Sequence, residues 1–140
     1  MTSIQDTKSL LVVRTDFSNQ PVWERIRDIL GAPLGNFPAN VQFVDDEEYK
    51  GATKGLLLEL LLESYNHSFM VIVDEMAIFN SDHPLIVVEL RSGLGREIRA
   101  IPSAIQQIEA NLSMTHMSFE NLASSVDGSG VYRGYHQCGL

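Results

Sequence analysis

The chain has a single cysteine, Cys138, among its 140 residues. One thiol forms no internal disulfide and no paired metal or redox motif. It is also the third residue from the end of the sequence, where nothing would hold it against a catalytic base. No Gly-x-Ser-x-Gly elbow occurs. The glycine turns Ser92-Gly-Leu-Gly95 and Gly128-Ser-Gly130 match neither a P-loop nor a Gly-x-Gly-x-x-Gly phosphate cradle. Basic residues are scarce: ten Lys and Arg face eighteen Asp and Glu, for a formal net charge of −8. A nucleic-acid surface needs a basic face to neutralise phosphates, so the balance argues against that class. No stretch approaches the ~20 consecutive apolar residues of a membrane span. The opening Met1–Lys8 lacks a basic segment followed by an apolar one, so no secretory signal is expected and the expected location is cytoplasmic.

What is present suits one core. A hydrophobic fraction of 44% with 20% charged residues is that of a globular protein. At this length roughly two-thirds of the unfolded chain's surface can be buried. The expected organisation is a flexible N-terminus over residues 1–9 and one α/β domain over 10–140.

The pattern alternates strands and helices. Leu10–Phe17 reads as a first strand ending at Asp16. Ser18 or Asn19 can cap the next helix, and Pro21 fits its first turn. Val22, Trp23, Ile26, Ile29 and Leu30 recur at helical spacing up to Gly31. Asn40–Asp46 alternates as a second strand, parallel to the first because a helix crosses between them. Thr53 can cap a leucine-rich helix from Leu56 to Leu62. Glu59 and Glu63 lie on one stripe of it.

Two apolar runs follow, His67–Glu75 and Pro84–Arg91. Continuous β-branched runs bounded by turn residues suit central strands buried on both faces. A parallel pair is expected, with a helical turn near Met76–Phe79. Arg96–Ile101 reads as a hairpin strand antiparallel to its neighbour. Pro102 opens a third helix with Ser103 and Gln106 at capping-box spacing and Ile105, Ile108 and Leu112 inward. A last helix starts at Ser118. The aromatic tail Val131–Tyr135 is expected to pack on the body. The predicted fold is a three-layer α/β sandwich, a mixed, mostly parallel sheet of about five strands with helices on both faces.

These segments together resemble a family of small uncharacterised bacterial proteins, a domain of unknown function. The resemblance rests on Leu11–Ser18, Phe43–Asp46, His67–Phe69 with Val71–Asp74, His83–Leu90, Gly95–Pro102, Asn111–Ser113 and Val131–Tyr135. It spans about residues 10 to 135 and implies no assigned activity, so site residues come from the chain itself.

The candidate chemistry is acidic. Asp16, Asp45, Asp46, Asp74, Glu75 and Glu89 all fall at the expected C-terminal ends of strands. In a parallel sheet those ends share the edge where ligands bind. Asp16, Asp46 and Asp74 form a candidate Mg²⁺ site for phosphoryl transfer, in the manner of a phospho-accepting receiver domain. Arg14-Thr-Asp16 departs from receivers, which carry paired acids after the first strand. The plainer reading is that these acids cap helices or face water. His67 and His83, each preceding a central strand, are expected at the opposite edge. His116 and His136 have no partner in register. Arg91, Arg96, Arg99 and Arg133 either form a positive patch or pair with the protein's own acids.

Two functions fit. One is a non-enzymatic cytosolic module without cofactor, immunity- or inhibitor-like or an accessory subunit, binding a basic protein through Asp45, Asp46, Glu47 and Glu48. A mimic of a polyanion belongs to the same class, and a homodimer through the leucine-rich helix is compatible with it. The other is the Mg²⁺-dependent domain using Asp16, Asp46 and Asp74.

Overall fold

A computed structural model describes residues 10–32, 41–60, 69–90, 96–105, 108, 123–124, 126–128 and 130–132. It is an α/β structure built on a six-stranded mixed sheet, β1 (Leu10–Arg14), β2 (Val41–Val44), β3 (Phe69–Val73), β4 (Leu85–Glu89), β5 (Glu97–Ala100) and β6 (Val131–Tyr132). Their spatial order is β2-β1-β3-β4-β5-β6. The helices are α1 (Gln20–Gly31), α2 (Lys54–Leu60) and the single turn α3 (Glu75–Phe79), with 3₁₀ turns at Glu47–Tyr49 and Pro102–Ala104.

Strand β1 sits between β2 and β3, parallel to both. Its alternation distributes the core. Leu10 and Val12 pack in a cluster with Trp23, Ile26 and Leu30 of α1, whereas Leu11 and Val13 pack with Tyr49, Leu57 of α2, Met70 and Ile72. Successive side chains of a strand point to opposite faces, so α1 and α2 cover opposite faces of β1. Helix α1 follows its sequence signals. Asn19 caps it by accepting from the Val22 amide, and a proline stands in its first turn. Trp23, Ile26 and Leu30 are fully enclosed, but Ile29 is exposed. Thr53 Oγ1 accepts from the Leu56 amide at the start of α2.

The expected parallel pairing of the two central runs is overturned. Strand β4 is antiparallel to β3, with Val71 opposite Val87. Strand β5 is antiparallel to β4 as its hairpin position required, and β6 is parallel to β5. The residues between β3 and β4 supply one helical turn and a tight return. That is too short for the helical crossover a parallel neighbour needs, about a dozen residues. The reversal moves two groups. Glu89 lies at the opposite edge from Asp74, and His83 lies at the same edge as Asp74 rather than opposite it.

His83 closes this return. It is buried, its amide donates to the Asn80 carbonyl, and its Nδ1–H donates to the Ala77 carbonyl at 2.9 Å. Its φ of 50° is left-handed, a region in which histidine is less strained than branched residues but still costs energy. The imidazole thus satisfies a carbonyl of α3 that the helix end would leave open. We expect His83→Ala to destabilise more than His83→Gly, by about 1 kcal/mol, because glycine loses the same hydrogen bond but not the backbone freedom. Urea unfolding of the two variants checks this.

The tail begins as expected, with Val131 and Tyr132 buried, but as a sixth strand rather than a loose cover. Pro102 opens a 3₁₀ turn capped by Ile101 with no side-chain bond, so Ser103 is not its cap, and Ile105 and Ile108 continue into the core. The expectations at Leu61–Glu63, His67, Ser92–Gly95, Gln106, Leu112, His116, Ser118, Arg133–Tyr135, His136 and Cys138 lie outside the described residues, as does Arg91.

Candidate functional site

The carboxyl ends of β1, β2 and β3 share one edge of the sheet. The α1 connection runs from β1 to β2 on one side of β1, and the connection carrying α2 leads back to β3 on the other. In open α/β sheets the crevice at such a switch point, outside the carboxyl ends of the strands, is where ligands bind. Here that place lies between β1 and β3. It is bounded by Thr15, Asp16 and Phe17 on one side and by Asp74 and Glu75 on the other.

The centre of the edge is Arg14. Its parity places it on the α1 face, after Leu10 and Val12, and its side chain is only 3% exposed. Nε donates to the Asp16 carbonyl at 3.1 Å. Nη1 donates to Gln20 Oε1 at 2.9 Å and to Asp45 Oδ1 at 3.1 Å. The guanidinium carbon lies 4.4 Å from the Phe17 ring centroid and 5.1 Å from that of Trp23, within cation–π range of both. Asp45 receives a second bond on Oδ2 from Trp23 Nε1 at 3.2 Å. Trp23 meets Phe43 edge-on at 5.9 Å. A buried charge is tolerable only when paired and hydrogen-bonded, and Arg14 is both. Sequence reasoning saw Arg14 only as a departure from receiver domains. The available signal was its parity: an arginine at an inward position of an otherwise apolar strand.

The acidic turn is built onto this brace. Asp45, Asp46, Glu47 and Glu48 are all exposed. Asp46 caps the 3₁₀ turn by accepting from the Glu48 amide at 3.0 Å, and Tyr49 anchors the turn's end in the core. The chain then reverses at Gly51, whose φ of 72° favours glycine, and the Gly51 amide donates to the Thr15 carbonyl at 2.8 Å. Thr15 in turn bonds Val73 through both its amide and its hydroxyl. The acids are thus carried on a turn fixed to β1 and β3 by main-chain bonds.

Burial pushes the Tyr49 phenol above the ordinary 10.0, and the neighbouring carboxylates of Glu48 and then Asp46 push it the same way. A tyrosine raised in the folded state favours folding while neutral, and that contribution is lost as pH climbs from the unfolded value through the folded one. Stability should therefore decline as pH rises past the ordinary tyrosine value of about 10 in the wild type and decline less in Tyr49→Phe, as read by urea midpoints at each pH.

Each of the three acids proposed as metal ligands has a local task. The Asp16 carboxylate accepts from the amide and hydroxyl of Ser18. Asp46 is the cap just described. Asp74 caps α3 by accepting from the Ala77 amide at 3.2 Å, and its two oxygens take a bidentate bond from Arg99 at 2.8 and 2.9 Å. Among the described residues no three His, Cys, Asp or Glu side chains come together as a group that could hold a metal ion. Of the four arginines expected to form a patch or pair internally, the two described pair with the protein's own acids: Arg99 with Asp74, and Arg96 with Glu89 at the other edge, at 2.9 and 3.0 Å. Glu75 is exposed beside Asp74.

Helix α3 adds something the sequence reading did not single out. Ala77 and Ile78 turn inward, while Met76 and Phe79, on one face at i, i+3 spacing, are 53% and 67% exposed.

No helix among the described residues is long and apolar enough to cross a membrane. A search of the curated proteins finds no match. The strand order, the shared acidic edge and the segments from Leu10 to Tyr132 fall within the span of one family model, residues 9–135. The chain therefore belongs to the family described as a domain of unknown function, DUF6924.

Proposed function

We propose that the protein is a non-enzymatic binding module, immunity- or inhibitor-like or an accessory subunit, whose carboxyl sheet edge takes a basic protein partner. The observation that carries this is the brace under the acidic turn. Asp45 is held by Arg14 and Trp23, Asp46 caps, and Tyr49 is buried, so Glu47 and Glu48 are presented on a pre-formed scaffold. Ordering a surface before binding lowers the entropy cost of binding it. Charge complementarity then adds association rate and specificity. The acidic net charge supports the same choice of partner.

With this reading we infer a bacterial, cytoplasmic location and a three-layer, mostly parallel arrangement. Homodimerisation through the leucines of α2 is a further contact compatible with it. The test is recovery of a partner from native-host lysate on the wild type and on Glu47→Gln/Glu48→Gln. That variant leaves the Arg14–Asp45 pair and the Asp46 cap in place. Loss of recovery is expected, and equal recovery removes the reading.

The Mg²⁺-dependent phosphoryl-transfer or phospho-accepting reading is supported by one observation, that Asp16 and Asp74 flank the switch point. In it Asp16, Asp46 and Asp74 hold the ion, which would supply charge neutralisation at a phosphoryl group. The caps and the Arg99 pair weigh against it, since bonding to a metal would give them up. Calorimetry with Mg²⁺ or Mn²⁺ discriminates: binding at millimolar metal that is lost in Asp74→Asn favours it over the protein-binding reading.

A further inference from the structure

We propose that the protein forms a two-fold dimer in which the outer edge of β2 pairs with β2 of a second copy and joins the two sheets into one. This goes beyond the protein-binding reading and uses a different surface. Strand β2 ends the strand order and, among the described residues, has a neighbouring strand on one side only. Its four residues are all half-buried, whereas those of β1 and β3 are buried throughout. An edge strand presents unpaired main-chain groups, and natural proteins blunt such edges with charge, proline or glycine bulges. Val41-Gln-Phe-Val44 carries no charged residue, proline or glycine. The opposite edge strand, β6, is two residues long and offers almost no ladder.

The strand is complementary to itself. A two-fold axis normal to the sheet runs the two strands antiparallel and keeps their α1 faces on one side. Val41 and Phe43 pack toward the α1 cluster and Val44 toward the α2 cluster, so alternation puts Gln42 on the α2 face. Opposed residues must share a face. A register centred on Gln42 meets that condition. It sets Val41 against Phe43 of the second copy, an aromatic–β-branched pair, and Gln42 against its own copy, where two amides can exchange hydrogen bonds. Helix α1 adds charge complementarity. Gln20 accepts from Arg14, which holds Asp45 beyond the end of β2, and a Cβ at Gly31 would lie 3.9 Å from the Phe43 ring. Gln20, Glu24, Arg27 and Gly31 stand at i, i+4, i+7 and i+11, so all four lie on the stripe of α1 toward β2. The two-fold runs this stripe against its own copy in the opposite sense, and Glu24 of each copy comes opposite Arg27 of the other. The acidic turns stay apart. In this register the two Asp45 residues are about 20 Å apart along the strands, roughly two Debye lengths at 0.1 M salt.

The experiment is sedimentation velocity of the full chain over a dilution series, with amide hydrogen exchange read by NMR at both ends of the series. A dimer is expected, and in it the outward amides of Val41–Val44 should exchange at least about tenfold more slowly than in the dilute monomer. Gln42→Lys sets like charges directly opposite each other and should raise the dissociation constant at least about tenfold, while the dilute monomer unfolds at the wild-type urea midpoint. Arg27→Glu should weaken the dimer by a similar factor, and Glu24→Arg/Arg27→Glu should restore it, a rescue that a purely structural Arg27 would not give. A chain that is monomeric at about 1 mM overturns the proposal. So does a dimer indifferent to Gln42→Lys or to Arg27→Glu. A dimer whose Val41–Val44 amides exchange as in the monomer overturns it too, and places the contact elsewhere, as on the leucines of α2.

Discussion

Arg14→Ala will cost about 4 kcal/mol of folding stability, because it opens a buried ion pair from its most enclosed side. The change removes three hydrogen bonds and two aromatic contacts at once. It leaves Asp45 with the Trp23 indole and with water, since the Asp45 side chain is 35% exposed. That access to solvent keeps the loss near the middle of the range for broken buried pairs. Arg14→Lys keeps the charge but not the planar fork that reaches Asp16, Gln20 and Asp45 together, and it should lie between wild type and alanine. Arg14→Met should be milder than alanine, because it fills much of the space beside Phe17 and Trp23. Urea midpoints of the three variants give the order. The double-mutant cycle with Asp45→Asn isolates the pair itself from the packing around it.

Asp74→Ala will be the second large effect, about 3 kcal/mol. It removes a helix cap, worth about 1 kcal/mol, and a charge-assisted bidentate bond worth about 1.5–3 kcal/mol. Arg99 keeps only the Pro84 carbonyl of the contacts that tie it to this edge. Asp74→Asn separates the two losses. Asparagine caps as well as aspartate, so this variant should lose only the charged part of the pair, about half the effect. The pair is partly exposed, and added salt should therefore narrow the gap between wild type and Asp74→Asn. A structural Asp74 predicts both results without any metal in the buffer.

The sequence made the strands visible through their β-branched runs and α1 visible through the spacing of Trp23, Ile26 and Leu30. It could not show the direction of β4. Phe69–Val73 and Leu85–Glu89 are buried nearly throughout, so neither run alternates and neither carries a mark of polarity. The connection length held the answer: one turn of helix and a left-handed His83 are enough for a return and not for a crossover. Everything misplaced at the site followed from that. Glu89 left the acidic edge, where Arg96 holds it at the other end, and His83 joined the acidic edge.

Other features escaped for different reasons. Strand β6 is two residues long, below the length at which alternation means anything, although burial of the aromatic tail was expected and Val131 and Tyr132 are buried. The Arg14 brace depends on Gln20, Trp23 and Asp45 meeting in space, and only the parity of Arg14 announces it. The exposure of Phe79 was hidden because an apolar residue in a short helical turn reads as core. The acids themselves were legible as strand-end residues. Capping by Asp46 and Asp74 was the plainer reading available for them, since acids at strand ends sit where the next helix begins.

The most direct test of the binding surface is calorimetric titration of the partner recovered from native-host lysate into wild type and into Glu47→Lys/Glu48→Lys, each at low and high salt. If the braced acidic turn is the contact, wild-type affinity falls steeply with salt, and the reversed-charge variant binds at least tenfold more weakly at low salt while melting at the wild-type temperature. Equal affinity of the two proteins at low salt would contradict it.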